Sequence, residues 1–513
     1  MSATAETILA SLTASDSAPA VGAPGRPFLT FGGLRRLIGD VRAGLNAHGV
    51  GRGDAVAIVL PNGPEMATAF VAVAAAATAA PLNPAYRQEE FDFYLSDLKP
   101  KALIVSGGAE TVATAAATAR GIPLVTLRTS DGDPAGQFAL DLAALRTGSA
   151  ARPGPATAND VALVLHTSGT TARPKIVPLS NANLAASARH IAASLALGPA
   201  DLCLNIMPLF HIHGLIAAVL SSLSAGAAVS CTPGFNALKF FSWLREVRPT
   251  WYTAVPTMHQ AILARSSANP GEARGAKLRL VRSSSASLPP QVFHELEEAF
   301  GCPIVEAYGM TEAAHQMASN PLPPRPRKPG SVGLAAGPEV ALMDDAGNLV
   351  SGAGVGEVVI RGPNVTAGYA ENPEANANAF SKGWFRTGDQ GRFDADGYLF
   401  LTGRLKELIN RGGEKVSPLE VDTVLLDHPA VAQAVTFGMP HPKLGEEVAA
   451  VAVLREGQSL TERELRDFAA KRLADFKVPR RVVFVTEIPK GATGKVQRIG
   501  LAEKLGLTTP AGA

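Results

Sequence analysis

Apolar residues fall in short runs separated by turn formers and by Ala-rich stretches. Ala55-Val56-Ala57-Ile58-Val59-Leu60 is closed by Pro61-Asn62-Gly63, which predicts a buried strand and a turn. The weakly polar run over 66–82 predicts a buried helix. Two more strands are predicted at 101–105 and 161–165. Strands that are apolar along their whole length, joined by helices, predict a largely parallel sheet covered on both faces. The alternation continues to about residue 320, with another buried helix expected over 214–229. The Pro-rich run PLPPRPRKP at 321–329 suits neither helix nor central strand and reads as a stiff surface loop.

After residue 330 the pattern changes. Apolar runs flank Asp345-Ala346-Gly347-Asn348 and Asp394-Ala395-Asp396-Gly397, which predicts hairpins over 340–350 and 392–402. From Gly403 the pattern predicts a charged turn, a helix at 417–428 and strands at 431–438 and 447–454. A helix at 461–475 and a strand at 481–485 follow. The expected architecture is α/β. A large N-terminal domain, 1–402, holds mixed and parallel sheets covered by helices, plus a hairpin-rich β subdomain. A small α+β domain, 403–513, is large enough to move as a body. No repeat of solenoid period is visible.

Composition narrows the classes. The 513 residues are 46% hydrophobic and 18% charged, which excludes a mainly disordered chain and a coiled coil. Lys and Arg number 47 against 45 Asp and Glu, a balance of +2 that gives no electrostatic case for nucleic acid or an acidic membrane. Cys203, Cys231 and Cys302 lie far apart without CxxC spacing, so neither a disulfide framework nor a zinc knuckle is expected. A reducing cytoplasm is the expected home. The first basic residue is Arg26, unlike the basic start of a secretory signal, and the terminal Ala-Gly-Ala is no peroxisomal address. Oligomeric state stays open.

The strongest chemical signal is His166-Thr167-Ser168-Gly169-Thr170-Thr171-Ala172-Arg173-Pro174-Lys175, directly after a predicted strand. Hydroxyls, backbone N–H groups and a lysine suit a loop wrapped on phosphate, although GxxxxGK[ST] is absent. By composition alone a polar surface loop fits as well. Gly352-Ala353-Gly354-Val355-Gly356 precedes a strand and opens no helix, so it reads as a turn rather than a dinucleotide fingerprint. Ser283-Ser284-Ser285 predicts no nucleophilic triad, because the sequence places no His or Asp to activate it.

TSGTTARPK resembles the phosphate loop of the adenylate-forming superfamily of acyl-CoA synthetases, luciferases and peptide-synthetase adenylation domains. Tyr308-Gly309-Met310-Thr311-Glu312, Thr387-Gly388-Asp389, Gly403-Arg404-Leu405-Lys406-Glu407 and PKGATGK at 489–495 match that superfamily's further motifs in order. The resemblance implies a carboxylate attacking the α-phosphate of ATP, an encounter of two anions that needs neutralised charge and alignment. It assigns the β- and γ-phosphates to Thr167, Ser168, Gly169, Thr170, Thr171 and Lys175. Ser284, Ser285 and Ala286 would meet adenine and the acyl carboxylate. Tyr308 would face adenine, Thr311 the α-phosphate, and Asp389 with Arg404 the ribose. Glu312 would ligate Mg²⁺. Lys495 would neutralise charge during adenylation, Lys406 would be the hinge, and Gly412 and Gly413 would let backbone approach coenzyme A. Asn410 stands where relatives carry a lysine.

For the acid, the resemblance implies His211, His213, Ser285, Ala307 and His315. The run EAYGMTEAAHQMASNPLPP together with INRGGEKVSPLEVD is similar to oxalate–CoA ligases. That implies oxalate, ATP and CoA giving oxalyl-CoA, AMP and pyrophosphate, since imidazoles could pair a second carboxylate that an apolar tunnel would strand. A CoA ligase for another short, medium-chain or aryl acid is the first rival. A luciferase-like oxygenase and a carrier-loading adenylation enzyme are further ones.

Overall fold

A computed structural model describes residues 6–108, 110–167, 174–266, 269, 271–352, 354–489 and 497–507. Two sheets form its larger part. The nine-stranded sheet runs Leu334–Ala335, His315–Ser319, Ile304–Met310, Leu280–Ser283, Trp251–Ala254, Leu202–Asn205, Ala228–Cys231, Pro19–Ala23 and Arg26–Thr30. Its interior neighbours are parallel and its edges antiparallel. The seven-stranded sheet runs Ala139–Asp141, Leu124–Arg128, Ala102–Ser106, Ala55–Val59, Thr78–Pro81, Val161–His166 and Ile176–Ser180, again parallel inside. The helix Pro64–Ala74 lies between them, touching strands of both and buried on every side. A helix that is apolar all round has no solvent face to offer, and this position gives it none.

The downstream hairpins form as the pattern predicts. Glu339–Met343, Val355–Arg361, Trp384–Phe393, Phe380–Ser381 and Leu399–Arg404 make an antiparallel sheet. The Asp344 N–H closes its turn on the Asn348 carbonyl at 2.9 Å, and the Asp394 N–H on that of Tyr398 at 3.0 Å. A last sheet joins Glu414–Val416, Ile409–Arg411, Gly445–Leu454, Val431–His441 and Arg481–Phe484. The helices Pro418–Leu426 and Glu462–Ala470 pack on it.

Three expected elements differ. The 66–82 run is the helix Pro64–Ala74 followed by the strand Thr78–Pro81. Pro81 would collide with the carbonyl four residues earlier in a helix, whereas the last position of the strand Thr78–Pro81, beyond its pairing of Ala79 with Leu163, tolerates it. The 214–229 run winds as a π-helix over His213–Leu220, continues as Ser221–Ser224, and ends in the strand Ala228–Cys231, with Gly226 at φ +72 turning the chain. The 461–475 helix stops at Ala470, and the turn after it lets Leu473 and Phe476 join the core of that unit. Among the described residues no helix is long and apolar enough to cross a membrane.

Candidate active site

The site sits where the strands Leu280–Ser283 and Ile304–Met310 end. In the parallel ladder Thr253 pairs with Arg282, so both side chains project from the same face of the sheet. The π-helix His213–Leu220 covers that face. It comes so close to the preceding loop that a Cβ at Gly214 would lie 2.3 Å from the Pro208 carbonyl oxygen. His213 is thereby held with Nδ1 at 3.0 Å from Ser285 Oγ and Nε2 at 2.6 Å from Thr253 Oγ1. The His315 ring crosses it at a 5.0 Å centroid separation.

Two of these residues sit in backbone conformations that L-residues rarely adopt: Ser285 at φ +75 and His315 at φ +106. Ser285 takes it at the strand-to-loop turn. His315 takes it after the tight turn Thr311–Ala313, where Ala314 is also left-handed at φ +48. Such strain persists where surrounding structure over-determines it. Here Gly309 leaves the room, since a Cβ on it would meet the His315 carbonyl oxygen at 2.0 Å.

His213 and Ser285, grouped for the acid by the resemblance, are in contact, but the third partner differs from that of a triad. His213 is backed by the neutral hydroxyl of Thr253 and by Arg282, whose Nη1 lies 3.5 Å from its Nε2. Neither of those two groups is a carboxylate. Ser285 is thus a hydroxyl held in place rather than an activated nucleophile.

Residues of the other motifs gather beside this cluster. Tyr308 donates its hydroxyl to Asp389 Oδ2. Burial and the Asp389 charge keep that phenol well above its usual range. The half-exposed Arg404 places Nε 3.2 Å from Asp389 Oδ1, and that carboxylate raises the guanidinium's pKa. Glu312 is buried, which raises its pKa, and its Oε1 accepts from the Tyr369 hydroxyl at 2.8 Å. Lys175 Nζ stands 4.5 Å over the Tyr369 ring. The Thr167 N–H donates to the Lys175 carbonyl at 2.9 Å. Ser168, Gly169, Thr170, Thr171 and Lys495 lie outside the described residues.

Other expected residues take more structural positions. Ser284 is buried and donates its hydroxyl to the Ala307 carbonyl at 2.8 Å, while Ala286 is exposed. Ala307 is buried, and Thr311 opens the turn before His315. His211 is half-buried, and its Nδ1 accepts the His213 N–H at 3.3 Å. Gly412 and Gly413, at φ +59 and +98, form the two-residue turn between Ile409–Arg411 and Glu414–Val416, so the hairpin itself requires them. Lys406 is exposed in the turn after Leu399–Arg404.

Sequence reasoning missed Arg282, Thr253, Gln316, Tyr369 and Glu357. Glu357 accepts from the Gly388 N–H at 2.9 Å and pairs with Arg386 at 2.6 Å, fixing the turn that presents Asp389. For Arg282 a signal was available, a lone cation in the apolar strand run before the serines. The others are ordinary polar residues far along the chain.

Residues 13–370 match the AMP-binding enzyme family, and residues 420–495 match the AMP-binding enzyme C-terminal domain. The chain belongs to the AMP-binding enzyme family. It is an AMP-forming acid–CoA ligase. It is 49% identical to an oxalate–CoA ligase of Arabidopsis thaliana, over 93% of this chain and 94% of that protein. It is 44% identical to an oxalate–CoA ligase of Saccharomyces cerevisiae, over 88% and 87%. ATP-bound MatB from Rhodopseudomonas palustris superposes with a TM-score of 0.87 at 30% identity, over 97% and 98% of the two chains.

Proposed function

We propose that the acid is oxalate and that the reaction runs in two steps. One oxalate carboxylate oxygen attacks the α-phosphorus of ATP, and pyrophosphate leaves. The CoA thiol then attacks the acyl carbon of oxalyl-adenylate, loses its proton, and expels AMP. Asp389 and Arg404 suit the ribose, Tyr308 the adenine, and Thr167, Lys175 and the loop between them the phosphates. Thr311 suits the α-phosphate, and the charge of Lys495 suits the charge that builds between acid and phosphate. A single buried carboxylate, Glu312, with one oxygen committed to Tyr369, fits Mg²⁺ that arrives on the nucleotide better than a dedicated protein cage. When bound, that cation would neutralise phosphate charge. Residues 1–402 and 403–513 are read as the two bodies that rearrange between the steps. The reducing cytoplasm remains the expected compartment, with all three cysteines buried and free.

The observation that carries the substrate reading is the polar floor of the acid site. His213, Ser285 and His315 supply polar groups within a single small cluster. Oxalate places its second carboxylate one C–C bond from the reacting one, within reach of such groups. A fatty acyl chain would leave them unsatisfied, at about 1–3 kcal/mol each. Pyrophosphate release with oxalate, malonate, acetate, octanoate and 4-coumarate, with and without CoA, tests this. Oxalate is expected to have the highest kcat/KM. More efficient turnover of octanoate or coumarate would overturn the substrate while leaving the ligase in place.

A further inference from the structure

Arg282 is fully buried in the middle of the nine-stranded sheet, yet among the described residues it forms no ion pair. Its guanidinium reaches only neutral or neutralisable groups. Nη1 lies 3.4 Å from Thr253 Oγ1 and 3.5 Å from His213 Nε2. Nη2 lies 3.3 Å from Gln316 Oε1 and 3.5 Å from His315 Nδ1, and among the described residues Nε has no hydrogen-bond partner. Burial pushes this guanidinium down to about 9. Buried cations are ordinarily paired, because an unpaired one is expensive to keep out of water. A site that holds one unpaired is built to receive an anion.

Resting on the oxalate reading above, we infer that Arg282 is the specificity-determining positioning residue of the acid site. It acts through His213 and His315 and supplies the counter-charge for the oxalate carboxylate that does not react.

The argument follows from donor inventory. A guanidinium only donates. The ring nitrogens facing it at 3.5 Å, His213 Nε2 and His315 Nδ1, meet it best as lone pairs, an arrangement with the ring protons on His213 Nδ1 and His315 Nε2. His213 Nδ1–H then donates to Ser285 Oγ at 3.0 Å. That leaves the Ser285 hydroxyl proton for another acceptor. The Thr253 hydroxyl, accepting from Arg282, can donate to His213 Nε2 at 2.6 Å. One buried cation thus turns a cluster of ambivalent groups into donors suited to a carboxylate. A neutral residue at 282 would let either ring take the other tautomer and present a lone pair to the anion.

The test compares wild type, Arg282→Gln and Arg282→Lys by pyrophosphate release at saturating ATP and CoA, with oxalate and acetate as competing measures. The ratio of kcat/KM for the two acids does not depend on how much of a preparation is folded. In Arg282→Gln the KM for oxalate should rise roughly thirtyfold or more, with the KM for ATP within about twofold, and the preference for oxalate over acetate should fall at least tenfold or so. Arg282→Lys, which keeps the charge, should hold that preference to within about fivefold. An unchanged preference in the Gln variant overturns the inference. So does a Lys variant that loses it as fully as Gln, since shape and not charge would then be responsible. If the Gln variant does not fold, the Lys variant decides alone, retention supporting the inference and collapse overturning it. A wild type that does not prefer oxalate sinks the substrate reading and this inference together, whereas a failure confined to the variants leaves oxalate standing.

Discussion

At the scale of single residues, burial without a partner separates residues whose sequence context looks alike. Glu306 and Glu312 lie on either side of Tyr308, and both are buried. Glu312 shares a hydrogen bond with Tyr369 at the nucleotide motifs. Glu306 accepts from the Leu288 N–H at 2.8 Å through Oε1, while among the described residues Oε2 has no hydrogen-bond partner, and burial pushes its carboxyl up to about 8. Its folded value lies above the ordinary 4.5. Its contribution to stability is therefore fully present below about pH 4.5 and is lost as pH rises towards 8. Glu306→Gln mimics the protonated acid and should remove that loss. In urea melts the variant should match wild type near pH 5 and exceed it at pH 8.5, by on the order of a few kcal/mol. A variant less stable than wild type at pH 8.5 would mean that the carboxylate is ionised and well paired. Motif membership sets Glu312 apart from Glu306 in the sequence, but their different surroundings are not written there. Residue type was legible, as was membership of YGMTE, but burial and partners were not. Arg282, Thr253 and Gln316 stayed hidden for the same reason, because their chemistry exists only once the strands bring them together.

At the scale of elements, the motifs that sequence displays most openly are the ones whose local shape is unusual. YGMTE ends a strand at a register shift between Tyr308 and Gly309, and the antiparallel strand His315–Ser319 returns directly over it. Gly309→Ala would press a Cβ into the His315 carbonyl at 2.0 Å, a backbone contact that no rotamer change can relieve. The variant should lose roughly 2 kcal/mol or more of stability, and its KM for the acid should rise more than its KM for ATP, because the displaced strand carries His315. Thermal unfolding together with separate titrations of acid and ATP checks this. Equal rises in both KM values would show that the strand does not address the acid alone. The hairpins and parallel strands were legible because alternation and turn chemistry are local. The 66–82 and 214–229 runs were not. An all-apolar stretch has no period to separate helix from strand, and the break after Ala74 or Ser224 is decided by what packs beside it.

At the scale of the whole molecule, the boundary expected at 402/403 falls inside the strand Leu399–Arg404, which a short turn joins to the last sheet. Leu399–Arg404 closes the hairpin sheet and Ile409–Arg411 opens the last one, with Lys406 exposed between them. The turn is held on both sides of that residue. The Leu405 N–H donates to the Gly388 carbonyl at 2.9 Å, and the Leu408 N–H donates to the Arg404 carbonyl at 3.0 Å. Among the described residues the Lys406 N–H donates to no backbone carbonyl. Proline at 406 would therefore delete no backbone hydrogen bond of this pose. It would fix φ near −65°, and so remove the dihedral freedom that a rotation of residues 403–513 requires. Across the junction, Arg455 lies 3.2 Å from Glu295 and Gln260 Nε2 lies 3.3 Å from the Ala432 carbonyl. Polar contacts of this kind are weak enough to break and remake between steps. Lys406→Pro should keep oxalate-dependent pyrophosphate exchange within about threefold of wild type. It should suppress thioester formation from supplied oxalyl-adenylate and CoA by roughly a hundredfold. Lys495→Ala should show the opposite split, failing in exchange and sparing the thioester step, as the role proposed for its charge between carboxylate and phosphate requires. A Lys406→Pro enzyme that makes thioester at the wild-type rate would mean that the junction does not turn at this residue.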